Sequence, residues 1–376
     1  MTRQFAQAPK ITWQRRMFML TLLAGFFLLS VLPGASAGDI TEEYNLAAML
    51  QPVPTTAKWG DPNYNIWCGS VIKGEDGKYH LFYSRWPRRL GHIAWVTHSE
   101  VAHAVSDTPF GPWTHHDVAL PARGTNFWDG SCTHNPTILR IGNKYYLYYM
   151  GNYGNGVVKT PLNWQHRNRQ RIGVAVADSL DGPWQRFDHP VLDVSSDTNA
   201  PDALVVTNPS VTERPEGGVL MIYKAVGLKR PLPFGGPVVH LAATAESPLG
   251  PFTKHPGTVF DAKGVMFAAE DPFIWRGPDR YWAVVKDNDG NFTHQGYSLA
   301  LWQSVDGFIW KLAQHPFVAN PGSVRWADVR THRLTALERP QVLLDHGRLV
   351  ALCCAAAENK KRDGTFNLQI PLIRPN

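Results

Sequence analysis

Apolar and polar residues alternate with period two along most of the chain after residue 58, in short runs bounded by Gly, Pro, Asn and Asp. This alternation predicts half-buried strands, and helical periodicity is almost absent. One unit recurs: a polar residue that usually precedes Pro, an apolar run, a Gly-containing turn, a Tyr-rich strand, and a small-residue strand ending in a Gly-Pro-aromatic corner. The second copy reads HNPTILRIGNKYYLYYMG and then GVAVADSLDGPW.

The unit occurs five times, at intervals of roughly 60–75 residues. Three or four strands per unit, repeated five times, favour radial closure, so the sequence predicts an all-β, five-bladed β-propeller. A sandwich of irregular hairpins is the competing interpretation. It does not explain why the corner motif D/E-S/T-x-x-G-P-W/F returns in a fixed register.

The N-terminus has the pattern of an export signal. Arg15-Arg16 precede an apolar stretch, residues 17–32, and Ala35-Ser36-Ala37 gives an A-x-A cleavage site. We therefore expect residues 1–37 to be a signal peptide, of a type resembling a twin-arginine signal. A transmembrane anchor is the alternative, but Pro33-Gly34 interrupts a short apolar run. Residues 38–57 form a lead-in, residues 58–376 a single propeller, and the expected location is periplasmic or extracellular.

Charge and composition narrow the classes of function. The net charge is +6, but Arg3, Lys10, Arg15 and Arg16 lie in the signal, and no basic run follows. A nucleic-acid partner is not indicated, nor is a membrane partner after signal removal, and a monomer is expected. The chain has 14 Trp and 12 Tyr, which suit sheet cores and also stack on sugar rings.

Cofactor chemistry finds little support in the sequence. No G-x-G-x-x-G or P-loop motif follows a strand, which excludes dinucleotide and P-loop enzymes. The four cysteines show no metal-ligand spacing, so we expect no metal and no other cofactor. A Cys68–Cys132 disulfide and buried free thiols are both compatible with the spacing.

Radial closure brings the start of each inner strand to one mouth of the central channel. The five aligned starts are Cys68, Asn135, Asn208, Asp271 and Arg339, and the residues before them are Trp67, His134, Thr207, Glu270 and Glu338. Charged groups gathered there must be paired or solvated. Pairing raises the chance of perturbed pKa values, which are typical of functional sites. The amide, imidazole and guanidinium groups of Asn135, Asn208, His134 and Arg339 suit sugar hydroxyls, and Trp67, Trp128 and Asp271 complete the predicted substrate-binding set.

Two carboxyl groups at one mouth fit glycoside hydrolysis, in which one protonates the leaving oxygen and the other acts as base or nucleophile. Glu270 is the candidate acid, because burial and its like-charged neighbour Asp271 would raise its pKa. Asp129, in a Gly-rich loop before the second inner strand, is the second candidate, and Glu338 is the third. Structural ion pairs or turns are the alternative role for each; for Asp61, in W-G-D-P, an ordinary turn is favoured.

The five units, their Gly-x-Tyr-Tyr-Leu hairpins and the D-S-x-x-G-P-W corners resemble glycoside hydrolase family 43 over roughly residues 58–358. The resemblance implies a five-bladed propeller and acid/base hydrolysis with inversion. The family acid is a Glu in an E-x-P motif, matched by Glu270 in E-D-P. The family base, a first-blade Asp, is replaced by Cys68, and a third-blade Asp that tunes the acid is replaced by Asn208. Some relatives hold a channel calcium or sodium ion, but no ligand cluster here indicates one.

The sequence therefore predicts an exported glycosidase acting on an oligo- or polysaccharide. A non-catalytic carbohydrate-binding propeller is the alternative from another class, and the two replaced carboxylates favour it. A fructan- or sucrose-cleaving hydrolase fits the E-x-P motif. A glycoside phosphorylase would need a basic phosphate pocket, to which Arg339 is the obvious contributor.

Overall fold

The computed structural model describes residues 43–328 and 332–374. The strands form five four-stranded antiparallel sheets, and the predicted five-bladed β-propeller is confirmed. The predicted signal peptide, residues 1–37, lies outside the described residues. None of the helices in the described ranges is long and apolar enough to cross a membrane.

The strands follow the five repeats in order. The first strand is β1 (Lys58–Trp59). Blade 1 consists of β2 (Tyr64–Lys73), β3 (Tyr79–Pro87), β4 (Glu100–Ser106) and β5 (Thr114–Leu120). Blade 2 consists of β6 (Cys132–Ile141), β7 (Lys144–Asn152), β8 (Arg171–Ala177) and β9 (Gln185–Arg186). Blade 3 consists of β10 (Val205–Glu213), β11 (Val219–Val226), β12 (Val238–Ala245) and β13 (Thr253–Val259). Blade 4 consists of β14 (Ala269–Arg276), β15 (Tyr281–Asp287), β16 (Ser298–Ser304) and β17 (Lys311–Ala319). The last three strands are β18 (Ala336–Asp345), β19 (Arg348–Ala357) and β20 (Phe366–Pro371).

The described helices are short and lie between strands. They are α1 (Leu46–Met49), α2 (Trp95–His98) and α3 (Trp164–Asn168), with 3-10 turns at Thr55–Ala57, Arg88–Leu90, His92–Ala94 and Pro321–Ser323. The lead-in packs into the core: Tyr44 and Leu46 are buried in the same apolar cluster as Trp275 and Trp282.

The ring closes within the fifth blade. The chain supplies three of its strands at the C-terminal end, and β1 pairs antiparallel with β20 as the fourth, with Lys58 opposite Leu368 and Trp59 opposite Asn367. This pairing ties the first strand to the last, so the blade at the seam is hydrogen-bonded across the two ends of the propeller. Closure of this kind leaves no open side to the ring.

Each inner strand is interrupted at the same place. In β2, β6, β10, β14 and β18 the register with the second strand shifts next to the residue that starts the apolar run. The five residues at the shift have positive φ, between 52° and 55°: Cys68, Asn135, Asn208, Asp271 and Arg339. A bulge with a left-handed residue re-aims the side chain, and Asn and Asp tolerate this conformation better than most residues.

The corner motif has a steric basis at Gly111. Its φ of 72° lies in the left-handed region, and a Cβ at this position would collide with the carbonyl oxygen of Thr56 in the lead-in. Glycine therefore satisfies two demands, the backbone conformation and the close approach of another segment.

We predict that Gly111→Ala lowers the midpoint of thermal unfolding more than Gly77→Ala does. Gly77 has a similar φ of 80° but faces open space, so its substitution isolates the conformational cost, about 1 kcal/mol. The Gly111 variant adds the collision with Thr56. Differential scanning calorimetry of the two variants measures the difference, and equal midpoints would contradict this account of the corner.

Candidate functional site

The channel mouth holds a cavity of about 360 Å³, lined by the starts of the inner strands. All ten residues that the repeat alignment brings together are close to this mouth. Nine of them line the cavity directly: Trp67, His134, Asn135, Thr207, Asn208, Glu270, Asp271, Glu338 and Arg339. The tenth, Cys68, is buried and contacts Asn135. The predicted convergence is therefore what the structure shows.

The five positive-φ side chains form a hydrogen-bonded chain across the floor of the cavity. The Cys68 thiol donates to Asn135 Oδ1 at 2.9 Å, and Asn135 Nδ2 donates to Asn208 Oδ1. Asn208 Nδ2 and Arg339 Nη1 both donate to Asp271 Oδ1, the latter at 2.8 Å. Each blade contributes one member, so this floor links the five blades at the axis.

Burial raises the pKa of the Cys68 thiol to about 12, so it is a neutral donor at the end of this chain. The four cysteines are all buried and unpaired by disulfides, and Cys132 donates to the carbonyl oxygen of Trp95 at 3.2 Å. Of the two alternatives left open by the sequence, the structure shows free thiols.

Two lysines face the carboxylates above the floor. Lys224 Nζ lies 2.7 Å from Glu270 Oε1, and Lys286 Nζ lies 3.3 Å from Glu270 Oε2. Lys286 also reaches Glu338 Oε1 at 3.2 Å, and Arg362 pairs with the same carboxylate. Glu270 and Glu338 thus belong to one ion-pair network that Lys286 bridges.

The expected rise in the pKa of Glu270 is wrong. Burial does raise it, but the positive charges of Lys224 and Lys286 outweigh burial and hold the pKa of Glu270 well below its usual value. Glu270 and Glu338 in turn raise the pKa of Lys286 against the effect of burial. At neutral pH Glu270 is therefore a carboxylate and Lys286 an ammonium group.

The repeat alignment contains a signal for the two lysines. Lys224 is opposite Thr207, and Lys286 is opposite Glu270, so each lies on the second strand of its blade across from the residue that precedes the bulge. An alignment of the inner strands alone leaves out these neighbouring strands. The second strand contains K-A-V in blade 3 and ends in K-D-N in blade 4. A comparison of these two strands would have placed both lysines at the channel.

The side chain of His134 is held by neighbours on both sides. Its Nδ1 lies 2.7 Å from Ser99 Oγ, its Nε2 lies 3.7 Å from Cys68 Sγ, and its ring lies against Trp95 and Trp86. Burial lowers its pKa well below the usual value, so the ring is neutral. The ring therefore adds no charge to the cavity wall.

Asp129 and Trp128 do not lie above the channel, and the position predicted for them is wrong. Asp129 is fully buried, with Arg123 Nε 2.6 Å from Oδ1 and the Tyr149 hydroxyl donating to Oδ2 at 2.6 Å. Trp128 stacks on Tyr149, and its indole N–H donates to Phe187 O at 3.1 Å. The loop turns back over blade 2 because Arg123, six residues upstream, neutralises the carboxylate there.

Comparisons with known proteins agree on the architecture. No protein-family model and no curated protein sequence matches the chain. Among solved structures, a family 117 glycoside hydrolase from Zobellia galactanivorans is 21% identical with a TM-score of 0.58, covering 83% of this chain and 85% of that one. An endo-arabinase from Bacteroides thetaiotaomicron is 14% identical, with a TM-score of 0.54 over 86% and 98%.

A family 43 β-xylosidase/α-arabinofuranosidase from a compost metagenome, solved with xylotriose in a calcium-free form, is also 14% identical. Its TM-score is 0.55, over 87% of this chain and 94% of that one. At these identities the likeness establishes the fold, and the resemblance to the family 43 propeller is confirmed at that level.

We predict that acid removes a stabilising contribution of Glu270. Since the folded-state pKa is below the usual 4.5, this contribution is complete above that pH and is lost as the pH falls through the folded-state value. Glu270→Gln abolishes it, and leaves two lysines without this partner at a cost of about 3 kcal/mol near neutral pH.

Thermal unfolding midpoints between about pH 3 and about pH 7 measure this effect. The difference between the wild type and Glu270→Gln should shrink as the pH falls. Glu213→Gln, at an exposed strand end, is the control. A difference that stays constant with pH would show that the lysines do not hold Glu270 ionised.

Proposed function

We propose that this protein is an exported glycoside hydrolase whose reaction takes place at the channel mouth, between Glu270 and Glu338. The observation that carries the proposal is the pairing of both glutamates with one ammonium group in a cavity at the propeller axis. The fold shared with glycoside hydrolases supports it. So does the aromatic wall of the cavity, in which the partly exposed Trp95 offers a flat ring to a sugar.

The spacing of the two carboxylates suits glycosidic bond cleavage. Because Lys286 Nζ contacts both, Glu270 Oε2 and Glu338 Oε1 are at most about 6.5 Å apart. Glycosidases place their two carboxyl groups about 5 Å apart for retention and farther apart for inversion. The bound covers the spacing of retention and reaches the lower limit of inversion. We propose inversion because the resemblance to family 43 implies it, with a water molecule activated on one side of the sugar.

The electrostatics favour Glu270 as the base, whereas the sequence predicted it as the acid. Glu270, held ionised by Lys224 and Lys286, is in the charge state that a general base requires. Glu338, the other glutamate at the mouth, then takes the role of proton donor; its partner Arg362 is on the solvent side, with 34% of its side chain exposed.

The cavity carries more positive than negative groups, which points to an acidic saccharide. Glu270, Asp271 and Glu338 face Lys224, Lys286, Arg339, Arg362 and Arg167. Arg167 has no carboxylate partner in the described part of the chain; it donates to Asn168 Oδ1 and Phe234 O, and burial lowers its pKa to about 10. A uronate carboxylate or sulfate on the sugar would supply the missing negative charge.

Two other functions make different demands on this cavity. A carbohydrate-binding propeller would hold a sugar without turnover. A phosphorylase would use the same cations to bind inorganic phosphate. The sequence offered only Arg339 for this role, whereas the cavity has two lysines and further arginines. Release of a sugar phosphate in phosphate buffer, in place of the free sugar, would identify the latter reaction.

Export remains a proposal that rests on the signal pattern of residues 1–37. A periplasmic or extracellular location follows from it and agrees with a polysaccharide substrate. Detection of the mature chain, with its N-terminus at residue 38, outside the cytoplasm of an expressing bacterium would support it.

We predict that Glu270→Gln and Glu338→Gln each lower turnover by about 100-fold or more, because each removes a proton-transfer group. The substrate is found by screening the purified mature protein on arabinan, xylan, galactan and algal oligosaccharides, and the anomer formed first is read by proton NMR. The control is Glu213→Gln, far from the cavity on the same strand as Thr207. Turnover unchanged in both cavity variants would contradict the proposal.

We predict that Arg167→Gln raises KM for an acidic oligosaccharide about tenfold and leaves KM for its neutral analogue unchanged, since one charge-assisted contact is lost. Arg169→Gln is the matched control. Arg169 lies two residues away in the same segment but packs over the Tyr153 ring and does not line the cavity. Equal effects on acidic and neutral substrates would contradict recognition of an acidic group.

A further inference from the structure

A cluster of histidines lies on the outer strands of blade 1, away from the channel mouth. His103 is in β4, His116 and Asp117 are adjacent in β5, and His80 is in the neighbouring strand β3. Asp181 approaches from the corner of blade 2, with Oδ1 3.4 Å from His116 Nε2. The cluster borders a groove of about 500 Å³ that is separate from the proposed active site.

An irregularity in the sheet brings the ligand groups together. His103 is opposite Asp117, but the next residue, Ala104, is opposite His115, so His116 is the extra residue of a bulge. A bulge re-aims the side chain it contains. Here one nitrogen or oxygen atom from each of His103, His116 and Asp117 lies within 4.8 Å of the other two.

The hydrogen bonds around His103 determine which of its nitrogens carries the proton. His80 Nε2 lies 3.3 Å from Asp76 Oδ1. Because an ionised carboxylate can only accept a hydrogen bond, the proton of a neutral His80 is on Nε2. His80 Nδ1 is then an acceptor, and it lies 2.9 Å from His103 Nε2, which must donate. His103 Nδ1 is left with a lone pair.

This lone pair faces another acceptor. His103 Nδ1 lies 3.5 Å from Asp117 Oδ1, His103 is fully buried, and neither atom has a hydrogen-bond partner. Two buried acceptors without a donor are unfavourable unless a cation lies between them. Ligand atoms about 2.0–2.2 Å from a tetrahedral zinc ion are about 3.3–3.5 Å from each other, which matches this separation.

We propose that His103 Nδ1, His116 and Asp117 Oδ1 bind a divalent transition-metal ion of the zinc type, with Asp181 beside the open side of the site. His80 and Asp76 form the outer contacts that orient His103, as carboxylate–histidine pairs do around metal ligands. Stacking of His103 on Phe82, with ring centroids 4.6 Å apart and planes 6° apart, fixes its direction. The ion would join β4 to β5 at their irregular pairing and draw in the corner of blade 2.

Solvent can reach the site, because the side chains of His116, Asp117 and Asp181 are 48%, 43% and 60% exposed. The ion therefore enters without opening of the blade. This accessibility also makes the variants practical, since replacing exposed groups leaves the packed core intact.

The test uses the full mature chain without a polyhistidine tag. The chelator-treated protein is titrated with Zn²⁺ by calorimetry and with Co²⁺ by absorption spectroscopy. We expect one ion per chain, the visible bands of tetrahedral Co²⁺, and a thermal midpoint that rises with Zn²⁺ concentration. His116→Ala and Asp117→Asn should each weaken binding about 10-fold or more, a loss at least comparable to that of outer-contact mutations.

His115→Ala is the matched control. His115 is the neighbour of His116, but its ring contacts the Tyr83 hydroxyl and Arg85 on the other side of the strand. We expect it to bind Zn²⁺ as the wild type does. Absence of stoichiometric binding, or equal loss in the His115 and His116 variants, would overturn the proposal. A thermal midpoint that responds to pH and not to Zn²⁺ would also overturn it, because a proton would then bridge His103 and Asp117.

Discussion

The bulge at the start of each inner strand is the constraint on which the rest of the site depends. It places one left-handed residue per blade at the axis, and the side chains of these residues hydrogen-bond from blade to blade. The residue before each bulge then faces the cavity above this floor. Without the bulge, period-two alternation would send the two neighbouring side chains to opposite faces of the blade.

The ionic network follows from that placement. Glu270 faces the cavity because it precedes the bulge of blade 4, and its cross-strand partner is Lys286. Lys224 occupies the same cross-strand position in blade 3 and reaches the same carboxylate. Cross-strand pairs thus bring two ammonium groups to Glu270, and these decide its ionisation against the effect of burial.

The sequence was sufficient for the fold and for the convergence of the ten residues at the starts of the inner strands. The corner glycines and the strand starts recur in register, and radial closure needs no further information. The sequence was insufficient to predict the environment of each carboxylate, because that environment depends on contacts between residues distant in the chain. Asp129 looked like a loop carboxylate, but its neutralising groups are Arg123 and, at 3.5 Å, Arg186. Nothing in local spacing shows that a loop turns back over blade 2.

The two departures from the family 43 pattern have one physical consequence. With Cys68 and Asn208 where that family has aspartates, the floor holds a single carboxylate, Asp271, and a single guanidinium, Arg339, at 2.8 Å. The side chains of Cys68, Asn135 and Asn208 then link the blades through neutral donors and acceptors. The charges of Asp271 and Arg339 compensate each other. A floor of this kind has no free carboxylate, so the function proposed above places proton transfer in the layer above it. In that layer the lysines hold Glu270 ionised.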